Sequence, residues 1–438
     1  MRKFKLILDL GLVASLVAAF ALIAGMPKKG HAEPIKISWP TTLSGAYGEL
    51  GLSVLAAACQ AVAEWNEKGG CLGRPVELLV QDDKGSPEVA VRIARDLVHK
   101  EKVEVLGGTI ASSVGMAMST FAKENKIVFA CGPGATRPLT DKEWNRYTFR
   151  ITANTVMRAR GLSAGVAKIR KYKKLASINP DYTWGRTMCN DFIRFYREFV
   201  PDVEILKQFW PPTGETDYTP YITALMTSGA EAVQSALVAG DLVTFVSQAK
   251  ARAFFNKVAY INDNSGSVLG TSPFGDKYPE GCIGAAFYVP YWECPENKAF
   301  LNKYHEYNSD SSNKWRSPTR IPGFHYVEGY DTINFILSSI AKAGTTNAEA
   351  VIKAAENLTF DTPIGPVTMR AFDHQLARPM FVGKTKVVPD YPIVPMVDGL
   401  VMVPYKDLMR TIEQVIADGH PGRPDLPKEF CTGFGLPK

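Results

Sequence analysis

The apolar and polar positions of the chain follow two alternating periods, which predict strands followed by helices. The apolar run Ile35–Trp39 has the length of a buried strand, and after a glycine-rich loop the apolar positions recur at helical spacing as far as Ala63. Gly69 and Gly70 mark the end of this helix. Further strands are predicted at 76–81, 103–106 and 127–130, with helices between them. This order indicates βαβ units and a parallel sheet.

The same order of elements begins again after Thr152. Strand-like runs lie at 175–179, 203–209, 232–237 and 257–261, and helices are predicted near 184–199, 218–228 and 241–251. Ligands of such sheets bind outside the carboxyl ends of the strands. Here those ends are rich in Gly, Ser, Thr and aromatic residues. The pattern therefore predicts two α/β lobes of similar design with a binding cleft between them.

The first 32 residues have the organisation of a secretory signal peptide. A positively charged start precedes the apolar run Leu10–Ala24, and Gly30 and Ala32 are the small residues at the positions that a signal peptidase reads. We expect a periplasmic protein whose mature chain begins at Glu33. The formal net charge of +6 falls when this basic segment is removed. No remaining basic block indicates nucleic-acid binding.

The seven cysteines of an exported chain predict disulfide bonds with at least one thiol left over. Cys59 and Cys71 are close in sequence, as are Cys282 and Cys294, but spacing alone does not fix the pairing. The sequence has no Cys-x-x-Cys motif or Cys/His cluster, and its six histidines lie far apart. We therefore predict no metal site and no cofactor.

Two motifs of catalytic or nucleotide-binding proteins are matched in part. Gly161–Gly165 matches G-x-S-x-G with Ser163 at its centre, but a nucleophile elbow needs a buried strand directly before the serine. Here the preceding residues are polar and the spacing is helical, so close helix packing explains the small residues better. The loop Trp39–Gly51 approaches the G-x-G-x-x-G fingerprint, but its glycines are too far apart. An exported serine hydrolase using Ser163 remains the alternative from another functional class.

Several motifs in a fixed order resemble those of periplasmic solute-binding proteins of the branched-chain amino acid (Leu/Ile/Val-binding) type, the receptors of ABC importers. They include TLSGAYGELG, DDKGSPEVAV, VLGGTIASSVGMA, CGPGATRPLT and PDYTWGR, and the resemblance covers about residues 35–388. It implies the α/β type I periplasmic-binding-protein fold: two doubly wound parallel-sheet lobes joined by a three-strand hinge, with crossovers near Thr152, Val289 and Met369. The implied organisation is a signal peptide at 1–32, an N-terminal lobe at 34–152 plus 290–369, a C-terminal lobe at 153–289 plus 370–388, and a C-terminal extension with one helix at 389–438.

The resemblance also implies a carboxylate-binding side of the cleft. Ser112, with Ser113 beside it, matches the serine that binds the ligand carboxylate in similar proteins. Gly134, Ala135 and Thr136 match a loop that offers backbone groups and a hydroxyl. Amides at a helix start together with hydroxyls bind a carboxylate without a full positive charge. A plain helix N-cap is the alternative role of Ser112.

Aromatic residues are implied on the opposite wall. Trp184 matches the aromatic residue that closes over the ligand, and Tyr182 lies close to it in sequence. Packing of Trp184 on its own lobe is the alternative, since amphipathic aromatic residues are common at such positions. Tyr47 would add flat apolar surface, whereas Leu50 stands where relatives often have an aromatic wall.

The remaining implied contacts concern the ammonium position and the hinge. Asp263 or Asn264 lies on the loop where amino acid binders place an acid for the α-ammonium, and Asn264 is the closer match. Phe324 or His325 lies near the hinge position that lines the pocket. A buried ammonium needs a carboxylate partner, which Asn264 does not supply.

Taken together, these matches predict a non-catalytic monomer that delivers a small-molecule carboxylate to the membrane permease subunits of an ABC importer. An aromatic acid is the ligand favoured by the neutral Asn264. If Asp263 faces the cleft instead, the ligand is a branched-chain or other amino acid, or an amide. A ligand-sensing module of the same fold is the third alternative.

Overall fold

The computed structural model describes residues 32–436, so the signal peptide predicted at 1–32 lies, except for its last residue, outside the described residues. The strands in this range, labelled in chain order, are β1 Ile35–Thr41, β2 Val76–Asp82, β3 Val105–Gly108, β4 Phe129–Cys131, β5 Thr148–Arg150, β6 Lys174–Ile178, β7 Glu204–Phe209, β8 Ala232–Ser235, β9 Ala259–Asn262, β10 Ile283–Ala286, β11 Thr359–Thr362, β12 Gly365–Met369, β13 Leu376–Ala377, β14 Met380–Thr385 and β15 Met396–Val403. The α-helices are Gly48–Glu67, Pro87–Asp96, Ser112–Asn125, Thr155–Ile169, Thr183–Phe199, Thr219–Met226, Ala239–Ala251, Val268–Thr271, Pro295–Ser309, Phe324–Ala343, Ala348–Ala355, Tyr405–Leu408 and Ile412–Ala417.

The first lobe is built on a five-stranded parallel sheet in the order β2-β1-β3-β4-β5. The apolar strands predicted from the sequence form its centre, and β3 and β4 are buried along their whole length. Helix Gly48–Glu67 packs against helix Phe324–Ala343 on this sheet. The order of the strands is that of a doubly wound α/β sheet, which has a crevice where the chain changes direction between β1 and β3.

The second lobe repeats this arrangement. Its parallel strands have the order β7-β6-β8-β9-β10, so the reversal of direction falls between β6 and β8. Two further strands, β14 and β15, extend the sheet in antiparallel register beyond β10. The predicted repetition of two α/β units is confirmed, and both sheets direct the carboxyl ends of their central strands at the space between the lobes.

The chain passes between the two large sheets three times within residues 32–436. It leaves β5 for helix Thr155–Ile169, leaves β10 for helix Pro295–Ser309, and leaves β13 for β14. The third passage lies beyond the predicted boundary at Met369. The reason is that the chain turns back after β12 and pairs β13 with Thr368 and Met369 before it crosses.

The C-terminal extension differs from the single helix predicted for 389–438. It first supplies β15, and then two short helices, Tyr405–Leu408 and Ile412–Ala417. The helix breaks between them because backbone carbonyls there bind arginines of other elements: Met409 O accepts from Arg160, and Arg410 O accepts from Arg370. Thr411 then begins the second helix with a capping box. The extension is therefore packed onto the fold by polar contacts as well as apolar ones.

Helix Gly48–Glu67 illustrates how a buried helix can imitate a membrane span. The segment Gly45–Glu67 is the one described segment that is long and apolar enough to cross a membrane by length and composition, and most of its apolar window is buried inside the protein. At its centre, a side chain on Gly329 of the neighbouring helix would meet the carbonyl oxygen of Val54 at 2.0 Å. The apolar composition is thus used for close helix packing in the first lobe.

The prediction of disulfide bonds is wrong for this structure. All seven cysteines lie in the described range and none is bonded to another there. Cys71, Cys131, Cys189 and Cys282 are buried as small apolar side chains. For example, burial raises the pKa of the Cys131 thiol to about 11. Their role in this fold is core packing.

The G-x-S-x-G motif lies in the interior of helix Thr155–Ile169, where it is not preceded by a strand. Ser163 is fully buried and its hydroxyl donates to the carbonyl oxygen of Phe192. A side chain on Gly165 would meet Val382 at 2.2 Å. These small residues let the helix approach β14, as the helical spacing of the sequence predicts.

Candidate ligand-binding site

A cavity of about 390 Å³ lies between the lobes at the carboxyl ends of both sheets. Its lining comes from loops and helix starts that follow β1, β3, β4 and β5 on one side and β6, β8 and β9 on the other, and from the start of helix Phe324–Ala343. The lining residues are Tyr47, Leu50, Ile110, Ser112, Pro133, Ala135, Arg158, Tyr182, Trp184, Val238, Asn264 and His325. The cavity lies where a doubly wound sheet usually binds its ligand.

The loop after β1 supplies Tyr47 and Leu50 to the cavity. The glycines of this loop are not among the residues that line the cavity, but they give the loop its shape. Gly45 has a left-handed backbone (φ 70°), and a side chain on Gly51 would lie 1.6 Å from the carbonyl oxygen of Thr42. Asp83 supports the turn by accepting a hydrogen bond from the Thr42 hydroxyl (2.7 Å).

Ser112 occupies the first turn of helix Ser112–Asn125 and lines the cavity. The N-cap is Ala111, not Ser112, and no side chain in the described part of the protein caps this helix start. The N-cap role considered for Ser112 is therefore wrong. The first-turn amides of an α-helix lack intrahelical partners and carry partial positive charge, so this wall offers hydrogen-bond donors.

The loop after β4 is only partly exposed to the cavity. Pro133 and Ala135 line it, whereas Gly134 and Thr136 lie behind them. Gly134 is packed so closely that a side chain there would lie 2.7 Å from the sulfur of Cys131. The Thr136 carbonyl accepts from Arg150 (2.6 Å), and its hydroxyl is buried with no partner among residues 32–436.

Ser113 faces a second, outer groove instead of the cavity. This outer groove has a volume of about 610 Å³ and is also lined by Tyr47 and Tyr182. The two tyrosine rings come from different lobes, and their centres lie 6.1 Å apart. They therefore separate the cavity from the mouth of the cleft.

Trp184 forms the flat wall contributed by the second lobe. Its indole Nε1 donates to the carbonyl oxygen of Ala236 (2.9 Å), which fixes the ring at the cavity. Tyr182 lies just before helix Thr183–Phe199, and burial raises the pKa of its hydroxyl well above the ordinary value. Both side chains therefore present neutral aromatic surfaces to the cavity.

Asp263 and Asn264 differ in their exposure to the cavity. Asn264 lines it, while Asp263 lies behind and is 1% exposed. One Asp263 oxygen accepts from Arg158 (3.1 Å), and the other accepts from the Asn264 amide (2.8 Å). Burial raises the pKa of Asp263, while the neighbouring Arg158 lowers it. The acid at the ammonium position is therefore already paired.

His325 lines the cavity, whereas Phe324 lies behind it against Phe287 at 4.7 Å between ring centres. The His325 Nδ1 atom lies 2.9 Å from a carboxylate oxygen of Glu328. Its Nε2 atom is buried and has no hydrogen-bond partner among the described side chains and backbone groups. Phe324 packs against Arg158 instead, since the centre of its ring lies 5.3 Å from the Arg158 guanidinium.

Arg158 is the main cavity residue that the sequence interpretation missed. Among the described residues that line the cavity, it alone carries a permanent charge. Nε donates to Ala153 O, Nη1 to Asp263, and Nη2 to Thr152 and Glu328. Four of its five N–H groups are used in this way, which leaves one on Nη1. Arg158 thus joins a second-lobe helix to Glu328 on a first-lobe helix.

The other residues missed by the sequence interpretation are Ile110, Pro133 and Val238, which add apolar lining.

The sequence did contain a signal that could have identified Arg158. Its helix begins directly after β5 with Asn154 as N-cap, and an arginine in the first turn of an otherwise buried helix needs a partner. The partners, however, are 105 and 170 residues away in sequence, so pairing could not be inferred from local spacing.

Two α/β lobes that enclose a cavity at the ends of their strands define a two-lobed binding protein of the type I periplasmic-binding fold. The profile of the family described as "Periplasmic binding protein" matches residues 34–389. The chain belongs to this family. Family members of the branched-chain amino acid type are solute-binding proteins of ABC transporters. Membership implies a periplasmic location and a small-molecule ligand.

The names of similar proteins refer to different classes of compound. The Leu/Ile/Val-binding protein homolog 4 of Brucella melitensis is 24% identical over 374 residues, which is 84% of this chain and 87% of that one. A solved solute-binding protein of Rhodopseudomonas palustris BisB5, in complex with 3,4-dihydroxy benzoic acid, has 19% identity and a TM-score of 0.73, covering 85% and 98% of the two chains. An amino acid ABC transporter substrate-binding protein of Pseudomonas fluorescens Pf-5 has 20% identity and a TM-score of 0.76, covering 89% and 99%.

Proposed function

We propose that the protein is the periplasmic receptor of an ABC importer and that it binds a small aromatic carboxylate in the cavity, without converting it. The observation that carries this proposal is the charge of the cavity wall. Arg158 contributes a guanidinium to it, and within the described lining no carboxylate side chain reaches the cavity. The ligand that complements this wall is an anion.

Several donors are available for the carboxylate group. Arg158 retains one N–H on Nη1, and Ser112 offers its hydroxyl on the opposite lobe. The uncapped start of helix Ser112–Asn125 adds backbone amides next to it. Hydrogen bonds to a charged group contribute about 1.5–3 kcal/mol each. A carboxylate held by both lobes would also stabilise their closed arrangement.

The rest of the cavity suits an aromatic ring. Tyr47, Tyr182 and Trp184 supply flat surfaces, and aromatic pairs prefer offset-stacked or edge-to-face contacts with centres about 4.5–7 Å apart. Leu50 and Val238 fill the remaining apolar wall. These side chains support a planar apolar body for the ligand.

An α-ammonium group lacks a free partner in this arrangement. Asp263 has one carboxylate oxygen on Arg158 and the other on Asn264. The negative charge of Asp263 is already offset by Arg158, so an ammonium bound there would lie buried beside a guanidinium without a carboxylate of its own, which is unfavourable. This argument favours acids over amino acids. The named relatives support both classes, since one solved structure holds 3,4-dihydroxy benzoic acid and the Brucella relative is named for Leu, Ile and Val.

Thermal-shift measurements with matched pairs of compounds test the proposal. Benzoate should raise the melting temperature, whereas benzamide, which has the same ring but no charge, should have little effect. At 100 times its Kd a ligand adds about 2.7 kcal/mol of stability, which such a measurement detects easily. Equal shifts by both compounds, or a shift by neither when leucine stabilises the protein, would reject an aromatic carboxylate as the ligand. Recovery of unchanged benzoate from the complex tests the absence of catalysis.

A further inference from the structure

The cavity is backed by a buried charge cluster consisting of Arg158, Asp263, His325, Glu328, Asp331 and Arg378. The side chains of its six members are at most 7% exposed. The ion pairs are Arg158–Asp263 (3.1 Å), Arg158–Glu328 (3.3 Å) and Arg378–Asp331 (3.3 Å). The Phe287 ring lies between the two guanidinium groups, at 4.8 Å from Arg158 and 4.4 Å from Arg378. The six groups therefore form one connected unit.

The cluster has more acids than permanent cations. Two guanidinium groups face three carboxylates, so the net charge of the cluster is −1 when all three carboxylates are ionised and His325 is neutral. Burial raises the pKa of Asp331, Arg378 lowers it and Glu328 raises it, and together they place this pKa at about 7. This direction agrees with a surplus of negative charge. An anionic ligand beside such a unit adds one more negative charge to a region of low dielectric constant, which is unfavourable without compensation.

His325 is the member placed to supply the compensation. Its Nδ1 faces the carboxylate of Glu328, which an Nδ1–H group would satisfy as a donor. Its Nε2 borders the cavity and has no protein partner among residues 32–436. In the neutral ring this nitrogen is an acceptor, which a carboxylate would repel. Protonated, it becomes a donor that a carboxylate accepts.

Other titratable groups near the cluster remain neutral. Cys131, on the first-lobe side, lies near Glu328, and burial raises the pKa of its thiol to about 11. Tyr182, on the second-lobe side, lies near Asp263, and burial raises the pKa of its hydroxyl well above the ordinary value. Trp184, Phe287 and Phe324, which pack around Arg158, do not titrate. Asp331 can also exchange a proton near neutral pH, but it does not border the cavity. Among the described residues that line the cavity, His325 is the side chain whose protonated form offers an additional donor to a ligand.

We propose that the aromatic carboxylate binds together with one proton, which is taken from solvent onto Nε2 of His325. The imidazolium then bridges two carboxylates: Nδ1–H donates to Glu328 and Nε2–H donates to the ligand. Charge balances in this step, because one anion and one proton enter together. The inference rests on the proposed function, since a neutral amide or a zwitterionic amino acid brings no net charge and needs no proton.

Calorimetric titration of the full protein with benzoate, near pH 8 and in buffers of different ionisation enthalpy, measures the protons taken up. By this proposal the His325 ring is neutral before benzoate binds and protonated in the complex, so uptake should be close to one proton per benzoate. Correspondingly, the affinity should fall by up to about tenfold per pH unit on the alkaline side of neutrality. Benzoate itself stays ionised throughout this range, so its own titration does not contribute.

The variant His325→Gln cannot take up the proton, and benzoate binding by it should be weaker near pH 6.5 and independent of pH. His305→Gln changes an exposed histidine on helix Pro295–Ser309 and should behave as the parent. Benzoate binding by the parent without proton uptake would overturn the inference and leave the proposed function intact. Uptake that persists in His325→Gln would overturn the assignment to His325. No binding of benzoate at any pH, while another ligand class binds, would remove the proposed function and this inference together.

Discussion

At the scale of single residues, the cavity depends on side chains that line it and also bind residues far away in sequence. Ser112 and Trp184 could be inferred from motifs, because each lies at the start of a helix that follows a strand. Arg158 could not, because its partners Asp263 and Glu328 come from two later elements. Sequence motifs identified the loops that face the cleft. They did not identify which residue of each loop lines the cavity, because that depends on tertiary packing and not on local spacing.

Ser112 and Thr136 make a matched pair for testing this placement. Ser112→Ala removes a hydroxyl at the cavity and should weaken binding of the carboxylate ligand by about tenfold or more, since a hydrogen bond to a charged group contributes about 1.5–3 kcal/mol. Thr136→Ala removes a hydroxyl behind the cavity wall and should leave Kd nearly unchanged. Calorimetry on both variants checks this. Weaker binding in Thr136→Ala with normal binding in Ser112→Ala would mean that the two residues have been assigned to the wrong sides of the wall.

At the scale of elements, the strands and helices of both α/β lobes were predictable because their apolar positions repeat at strand or helix spacing. The C-terminal extension was not, because non-local contacts decide its structure. Its sequence from Tyr405 to Gly419 has a helical pattern, yet the helix breaks where Met409 and Arg410 give their carbonyls to Arg160 and Arg370. Strand β15 is also determined by its neighbour, since it extends the second sheet through pairing with β14.

The extension should be sensitive to acid through His420. This side chain packs against Trp144 and Phe372, and its Nδ1 accepts from the Gly422 amide (3.0 Å). Burial lowers the pKa of His420 to about 4, whereas in the unfolded chain it is about 6.5. The unfolded state therefore binds more protons between these values, and the free energy of unfolding should fall by up to about 3 kcal/mol as the pH falls through this range.

Urea unfolding of the parent and of His420→Gln, near pH 7 and near pH 4, measures this contribution. The parent should lose more stability than the variant over the acidic range. His99→Gln, which changes an exposed histidine, serves as the control and should follow the parent. An identical acid dependence in the parent and in His420→Gln would show that the burial of this imidazole does not contribute to acid sensitivity.

At the scale of the whole molecule, the two lobes are in contact at the mouth of the cleft as well as at the hinge. The Tyr47 and Tyr182 rings meet there, and a side chain on Gly240 of the second lobe would lie 3.0 Å from the Ala46 carbonyl of the first. Separation of these contacts would widen the passage between the cavity and the outer groove. Two rigid lobes joined by a hinge are suited to such opening and closure.

Small-angle scattering of the protein with and without benzoate should show a smaller radius of gyration in the complex. Gly240→Leu places a bulky side chain against Ala46, so it should hold the mouth open, weaken binding and reduce the compaction. Ser247→Leu, at an exposed position of the same helix, provides the matched control. Full-strength binding by Gly240→Leu with no change in scattering would argue against closure of the lobes around the ligand.

Calorimetric titration of the parent protein with phenylpropanoate and with phenylalanine tests the central claim most directly. The two compounds share a ring, a side-chain length and a carboxylate, and differ by the α-ammonium group. The cavity offers a guanidinium, while Asp263 is already paired with Arg158 and Asn264, so phenylpropanoate should bind more tightly by at least about tenfold. Tight binding of phenylalanine, with no binding of phenylpropanoate, would contradict the account and assign the cavity to amino acids.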